Sequence, residues 1–259
     1  MTVFVTGGTG KTGRRVVARL AERGVEVRAG SRRSAVPFDW ADASTWAAAL
    51  AGASLAYVAY APDLAVPQAP RQIADFTRTA LDAGVQRFVL LSGRGEPEAE
   101  EAEQALLTLA PASTVLRAAW LIQNFTEGAF AEPLRAGELA LPVGPAVVEP
   151  FVDAADVAEA AVAVLTGTGH EGRVYELTGP RPLTFAEAVA EIGGSGFRSV
   201  PMAGFEAGLR AAGEPEEAIA LLRYLFGTLF DGRNAAVGDG VRTLLGRAPR
   251  DIRERSFVN

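Results

Sequence analysis

The stretch TGGTGKTG, at residues 6–13, follows the apolar run VFV at residues 3–5 and constrains the fold more than any other part of the chain. Its last residues look like the end of a P-loop, but that motif needs a glycine five positions before Gly10, where the sequence has Val5. The pattern G-x-G-x-x-G over residues 8–13 is complete and is typical of dinucleotide-binding sheets. Its early glycines permit a tight turn from strand to helix, and its last glycine permits close packing of the helix on the strand.

This loop is therefore predicted to bind the pyrophosphate of a dinucleotide. The pyrophosphate would lie against the exposed N–H groups of a helix that begins near Lys11. The predicted pyrophosphate-binding residues are Gly7, Gly8, Thr9, Gly10, Lys11, Thr12 and Gly13.

The composition excludes several kinds of site. The 259 residues, 49% of them hydrophobic, suit one large α/β domain or a core domain with a smaller lobe. A net charge of −6 without a basic cluster argues against nucleic-acid binding. The chain has no cysteine and a single histidine, His170, which we expect in a surface loop, so we predict neither a metal site nor thiolate catalysis. With no recognisable leader or membrane span, a cytoplasmic protein without membrane partners is expected.

Strand and helix signals alternate through the first 165 residues. The predicted strands are 2–6, 25–30, 55–60, 86–92 and 113–117, and the predicted helices are 11–23, 44–51, 68–83 and 98–110. Uniformly apolar strands joined by helices are typical of a parallel sheet that is covered on both faces. We therefore predict an α/β fold with a Rossmann-type doubly wound parallel sheet.

Beyond residue 117 the pattern becomes less regular. It predicts a helix over 121–135 and a loop over 137–150. A short strand at 151–152, a helix over 153–165 and a strand over 173–177 are then expected to return to the sheet. Helices are predicted over 184–192, 204–212 and 215–230. We assign residues 1–180 to an NAD(P)-binding Rossmann domain, with part of the substrate cleft at 118–150. Residues 181–259 form a small, mostly helical C-terminal lobe on the substrate side.

The second predicted strand indicates which dinucleotide is bound. NAD-binding sheets carry an acidic residue near the end of this strand, where it bonds the ribose 2′-hydroxyl group. Here the strand ends in Ser31, Arg32 and Arg33, without an acid. Guanidinium groups bind phosphate well, so the sequence favours NADP(H) as the cofactor.

Several stretches together carry a family resemblance. They are TGGTGKTG (6–13), SRRS (31–34), FDW (38–40), RFVLLS (87–92), TVLRAAWLIQNF (114–125), PFVDAADVA (150–158) and LTGPRPLTFAEA (177–188). With them the chain resembles the NmrA-like branch of atypical short-chain dehydrogenases, and within it the ergot-alkaloid reductase group of agroclavine and festuclavine dehydrogenase-like proteins.

The resemblance implies further site residues. Asp39 and Trp40 would lie beside the adenine, Tyr60, Ala61 and Pro62 along the adenosine and ribose, and Ser92 near the nicotinamide. Trp120, Asn124 and Phe125 would line the substrate side, although an ordinary core role remains open for Trp120 and Phe125.

The sequence also departs from related enzymes. Classical short-chain dehydrogenases carry Tyr-x-x-x-Lys on the helix that follows the strand ending at Ser92. Here that helix has neither tyrosine nor lysine, and Ala118 replaces the family's usual proline after the arginine of the T-x-L-R segment. The sequence therefore identifies no catalytic residue. The acidic run 96–103 is interpreted as a solvated first turn and helix face, from which Glu100 and Glu103 could bind a cationic substrate.

A missing proton donor favours acceptors that need little protonation. We predict an NADPH-dependent reductase that transfers hydride to an imine, iminium, enone or quinone of a small secondary-metabolite substrate. Two alternatives remain open: a redox sensor that binds dinucleotide without turnover, and a non-redox cyclase or isomerase. Both a monomer and a homodimer remain open.

Overall fold

Strands and helices alternate along the chain in the computed structural model, which describes residues 1–194 and 196–254. The strands are β1 (Thr2–Val5), β2 (Glu26–Ser31), β3 (Val36–Pro37), β4 (Leu55–Ala59), β5 (Arg87–Gly93), β6 (Thr114–Ala118), β7 (Leu139–Leu141), β8 (Val148–Glu149), β9 (Val174–Leu177), β10 (Leu183–Thr184) and β11 (Phe197–Ser199). The helices are α1 (Gly13–Glu22), α2 (Trp46–Leu50), α3 (Ala69–Asp82), α4 (Pro97–Leu109), α5 (Gln123–Thr126), α6 (Ala131–Arg135), α7 (Ala154–Thr166), α8 (Phe185–Glu191), α9 (Met202–Ala211), α10 (Glu216–Tyr224) and α11 (Gly240–Leu245). Short 3₁₀ turns cover Ala43–Thr45 and Ile252–Glu254, and a π-helical turn covers Leu225–Leu229.

The chain folds into two compact units, each built from separate stretches of sequence. Unit 1 comprises residues 1–118, 154–177 and 239–248, and unit 2 comprises the described residues of 119–153, 178–238 and 249–254. The domain boundary at residue 180 stays a prediction. Within the described ranges, no helix combines the length and apolar character needed to cross a membrane.

Unit 1 is built around a seven-stranded parallel sheet in the order β3-β2-β1-β4-β5-β6-β9. The strand order runs outward from β1 in both directions, which is the doubly wound arrangement that the alternating pattern predicts. The residues at 3–5 on β1 have no solvent exposure, because helices cover both faces of the sheet. The predicted fold class is confirmed, and β9 joins the sheet as expected.

A cluster of aromatic rings fills one side of unit 1. Phe38 packs edge-on against Phe4 and Trp40, with ring centroids 5.4 and 5.1 Å apart. Helix α3 contributes Ile73 and Phe76, which are three residues apart and therefore share one buried face of the helix. This cluster anchors the loop that follows β3 against the sheet.

The last stretch of unit 1 comes from near the end of the chain. Nη2 of Arg247, just after α11, lies 2.6 Å from Oδ1 of Asp156 on α7, whose side chain has no solvent exposure. Arg247 also contacts Glu159, one turn further along α7. At the start of α11, an ideal Cβ on Gly240 would lie 2.5 Å from the carbonyl oxygen of Glu176 on β9, so the helix approaches that strand closely.

Unit 2 contains two small sheets: β8 pairs antiparallel with β10, and β7 pairs in parallel with β11. Its core includes Phe125, Phe151 and Phe185, whose rings pack edge-on at 5.2 to 6.0 Å. Aromatic side chains that are far apart in the sequence therefore pack into one buried cluster.

Several predictions for unit 2 are wrong. The helix expected over 121–135 is two short helices, α5 and α6, because Gly128 lies between them and favours a break. The loop expected over 137–150 contains β7 and β8. The strand expected at 151–152 does not join the seven-stranded sheet; Val152 forms only a single bridge, with Leu121. The helix expected over 215–230 leaves α-helical geometry after Tyr224 and ends in the π-helical turn.

Candidate functional site

The glycine loop connects β1 to α1 by a tight turn. Gly7 has φ of +58°, a left-handed conformation that glycine adopts without strain. The N–H of Gly10 donates to the carbonyl of Gly7 at 2.8 Å, which closes the turn. An ideal Cβ on Gly13 would lie 2.2 Å from the same carbonyl oxygen, so a larger residue cannot begin α1 there. The spacing of the glycines therefore reflects a tight turn at Gly7 and a close backbone contact at Gly13, where α1 begins.

A cavity of about 780 Å³ opens beside this loop, at the carboxyl ends of β1, β2 and β4. Its volume lies within the usual range for small-molecule sites. Ten of the predicted cofactor residues line it: Gly7, Thr9, Gly10, Ser31, Arg32, Arg33, Asp39, Trp40, Ala61 and Pro62. The remaining predicted cofactor residues are not in its lining: Gly8, Lys11, Thr12, Gly13, Tyr60 and Ser92.

The loop after β2 presents unpaired donors to this cavity. Ser34 Oγ accepts from the N–H of Ser31 at 2.9 Å and donates to the carbonyl of Val36 at 2.7 Å, which fixes the loop. Arg32 and Arg33 are exposed, and neither pairs with a carboxylate among the residues that the structure describes. Ser31 Oγ is buried without a hydrogen-bond partner. Two free guanidinium groups and a free hydroxyl group make a donor set that fits a phosphate.

The segment with Asp39 and Trp40 forms another wall of the cavity. Asp39 Oδ1 accepts from the N–H of Ala41 at 3.0 Å, and the Trp40 indole N–H donates to the carbonyl of Ala59 at 3.3 Å. Tyr60 lies behind this wall: its ring packs on Trp40 with centroids 4.8 Å apart, and its hydroxyl group donates to the side chain of Gln72. Burial raises the pKa of Tyr60, so its hydroxyl group stays protonated. Tyr60 supports Trp40 from behind.

Comparison with known proteins identifies the chain. A family model for the NAD dependent epimerase/dehydratase family matches residues 3–97. Agroclavine dehydrogenase from Claviceps fusiformis is 30% identical over 277 residues, which cover 96% of this chain and 94% of that protein. The chain belongs to the NmrA-like atypical short-chain dehydrogenases. This NmrA-like protein is therefore an NAD(P)H-dependent oxidoreductase, which confirms the predicted family, enzyme class and nicotinamide cofactor.

Solved structures share the fold of this NmrA-like dehydrogenase. Triphenylmethane reductase from Citrobacter sp., complexed with NADP(H), has a TM-score of 0.73 and is 23% identical, with 98% of each chain covered. The NADPH-dependent quinone oxidoreductase QOR2 from Escherichia coli, complexed with NADPH, has a TM-score of 0.75 and is 23% identical, with 97% of each chain covered. At this identity the likeness concerns the fold.

Ser92, Glu103 and Arg117 form a buried network at the carboxyl end of β5. Ser92 Oγ donates to Oε1 of Glu103 at 2.5 Å, and Arg117 on β6 forms an ion pair with the same carboxylate. Arg117 also lies 3.3 Å from Glu100, which is half exposed. The interpretation of 96–103 as a solvated run is therefore wrong for Glu103, which is 3% exposed. Both glutamates that were expected to attract a cation already share one guanidinium group.

The other predicted substrate-side residues, Trp120, Asn124 and Phe125, lie in unit 2. Trp120 packs among Phe130, Phe185, Phe226 and Phe230, with ring centroids 4.8 to 6.3 Å apart. Phe125 has no solvent exposure. The backbone N–H of Asn124 donates to the carbonyl of Leu121 at 2.9 Å, in the turn that starts α5. Their roles in substrate binding stay predictions.

Two acidic residues of unit 1, Asp63 and Glu96, were not predicted from the sequence as functional residues. Asp63 directly follows the cavity-lining Ala61 and Pro62, and Glu96 directly precedes α4. Both carboxyl groups are largely withdrawn from water, and this burial raises the pKa of each. The sequence carried one signal for Glu96. Gly93 lies three residues before it, at the end of β5, and a glycine there leaves room for the Glu96 side chain to fold back. No cluster of three or more His, Cys, Asp or Glu residues suited to a metal ion occurs among residues 1–194 and 196–254.

Proposed function

We propose that the protein is an NADPH-dependent reductase that transfers hydride to an activated double bond, such as that of an imine, iminium, enone or quinone, in a small secondary-metabolite substrate. The observation that carries this proposal is a contrast within unit 1. The cavity offers unpaired Arg32 and Arg33 beside the glycine loop, whereas α4 offers neither the tyrosine nor the lysine with which classical members of the superfamily protonate a ketone oxygen.

The cofactor assignment follows from the lining of the cavity. Arg32, Arg33 and Ser31 would hold the 2′-phosphate, and the backbone N–H groups of the glycine loop would hold the pyrophosphate. Asp39 and Trp40 would lie against the adenine. When bound, NADPH supplies a hydride, and the protein's part is to hold the nicotinamide against an electrophilic carbon.

Acceptors differ in how strongly their reduction depends on a proton donor from the protein. An iminium ion already carries positive charge and accepts hydride without a proton donor. A simple ketone depends most on a general acid, whose absence typically slows a reaction by about 10²–10⁴-fold. Ketones are therefore the least suitable substrates for this site. The structural relatives named for quinones and for triphenylmethane dyes support activated acceptors.

The test is a stopped-flow measurement of NADPH oxidation with matched imine, quinone and ketone panels. We expect turnover of the activated acceptors, with ketones reduced at least about 10²-fold more slowly. Fast turnover of plain ketones would contradict the proposal. If all panels were silent while NADPH still bound tightly, the absent tyrosine and lysine would instead favour a dinucleotide-binding redox sensor.

A further inference from the structure

Glu96 occupies the cap position of α4, three residues after the end of β5 at Gly93, but its carboxyl group does not cap the helix. A side-chain oxygen at this position commonly accepts a hydrogen bond from the first helical turn. Here the carboxyl group folds back over Gly93 instead. An ideal Cβ on Gly93 would lie 2.1 Å from Oε1 and 2.4 Å from Oε2 of Glu96, so only a glycine leaves room for it.

Three acidic side chains act on the Glu96 carboxyl group. Asp63 faces it from the loop after β4, and Glu98 and Glu103 face it from α4. Within the described part of the chain, the Glu96 side chain has no ion pair and no hydrogen bond. Arg117 on β6 is paired with Glu103 and Glu100 of α4.

Burial, followed by the negative charges of Asp63, Glu98 and Glu103, raises the pKa of Glu96 to about 8. Burial raises the pKa of Asp63 as well, while an N–H from Ala65 opposes that change by donating to its Oδ1 at 2.9 Å. At neutral pH the pair therefore retains a proton. A carboxylic acid kept neutral by its environment is a hydrogen-bond donor and an acid of useful strength.

The position of Glu96 relative to the sheet would allow it to act on a bound ligand. Glu96 and Asp63 follow the carboxyl ends of β5 and β4, which are adjacent strands. Ligands of open α/β sheets bind outside the carboxyl ends of the strands, and Asp63 directly follows two residues that line the cofactor cavity. The acid is thus on the ligand-binding edge of unit 1.

We propose that Glu96 is the proton donor to the enolate that forms when this reductase acts on an enone, and that Asp63 is a positioning residue that keeps Glu96 protonated. This inference rests on the proposed function. For an enone, hydride adds to the β-carbon, and the proton leaves the Glu96 carboxyl group for the oxygen of the resulting enolate. NADPH is oxidised, the acceptor is reduced by two electrons, and water returns a proton to Glu96. An iminium acceptor needs only the hydride.

The test compares Glu96→Gln with Glu101→Gln, a substitution of the same charge change at an exposed position of α4. Each variant is assayed in the full chain with a matched enone and iminium acceptor across a pH series, and NADPH affinity is measured separately. We expect Glu96→Gln to slow enone reduction by about 10²-fold and to leave iminium reduction and NADPH affinity unchanged. In the unmodified enzyme, enone reduction should fall as pH rises through about 8, and Glu101→Gln should retain that profile.

Infrared difference spectra supply a readout that does not depend on turnover. The protonated carboxyl band of the unmodified protein should disappear as pH rises through about 8 and should be absent at neutral pH in Glu96→Gln. Equal losses with both acceptors, no loss with the enone, or the lack of such a band would overturn the role of Glu96. If the unmodified enzyme reduced neither acceptor, the proposed function itself would fail, and the role of Glu96 would fall with it even if the band were present.

Discussion

Nε of Arg117 lies 3.0 Å from both carboxylate oxygens of Glu103, and its Nη2 lies 2.7 Å from Oε2. This ion pair ties α4 to β6, the strand beside β5, and Ser92 of β5 completes it. A carboxylate engaged in this way serves the fold of unit 1. The main effect of removing the Glu103 carboxylate should therefore be a loss of stability.

Glu103→Gln should lower the free energy of unfolding by about 3–5 kcal/mol, because it leaves a partly buried guanidinium group without its main partner. Urea denaturation measures the change. Glu101→Gln, an exposed neighbour on the same helix, should change stability by less than about 0.5 kcal/mol. If Glu103→Gln were as stable as the unmodified protein and only weakened the binding of a cationic substrate, the ion pair would not have the structural role that we assign to it.

Arg32 and Arg33 should determine the choice of cofactor. We expect NADPH to bind at least about tenfold more tightly than NADH, a difference of about 1.4 kcal/mol. Alanine at both positions should erase this preference by weakening NADPH alone, as measured by isothermal titration of both cofactors. Arg71→Ala, which removes an exposed arginine outside the cavity, is the control. Equal affinities in the unmodified protein would refute the 2′-phosphate assignment.

Two glycines of the loop should respond differently to substitution. Gly10→Val should abolish dinucleotide binding with little loss of stability, because Gly10 lines the cavity and an ideal Cβ there meets only the Gly7 carbonyl oxygen, at 3.1 Å. Gly13→Ala should destabilise unit 1, since its Cβ would collide with that oxygen. Gly208→Ala, in open space on α9, should be neutral or stabilising. Thermal melts and NADPH titrations separate these cases, and loss of binding without loss of stability in Gly13→Ala would contradict the assignment.

The stability of unit 2 should depend on acid pH through Arg181. Its guanidinium group contacts Asp251 and Glu191, and the contact with Arg181 is the main reason that the pKa of Asp251 lies well below its ordinary value of 3.8. A lowered pKa adds stability that is present above 3.8 and is lost as pH falls further. Asp251→Asn should therefore be less stable than the unmodified protein at neutral pH, and the difference should shrink in strong acid. A difference independent of pH would contradict this.

Glu96 should have the opposite effect on stability. Its raised pKa means that the folded protein holds a proton that the unfolded chain releases above 4.5, so the contribution to stability is lost as pH rises through about 8. Glu96→Gln cannot ionise, and its melting temperature relative to the unmodified protein should increase with pH across this window. A constant offset across the window would show that Glu96 is ionised throughout.

The sheet of unit 1 could be predicted because its signals are local. Strands β1, β4 and β5 are largely apolar runs, and the glycine spacing of residues 7–13 specifies a turn without reference to distant residues. Strands β7, β8, β10 and β11 have two or three residues each, too few to show a period, and they pair across long stretches of sequence. Glu96 was missed for a related reason: its raised pKa depends in part on the charge of Asp63, which lies on another loop and is remote in sequence.

The pairing of Asp156 with Arg247 also bears on how the chain is synthesised. Domains commonly fold as units while the chain emerges from the ribosome. Here the first 177 residues supply the whole seven-stranded sheet, yet the guanidinium group that neutralises a fully buried carboxylate of α7 is made only at position 247. Unit 1 is therefore completed only after residue 247 has been synthesised. A nascent chain that stalled near residue 180 would present a formed glycine loop on a sheet whose α7 still lacked this cation.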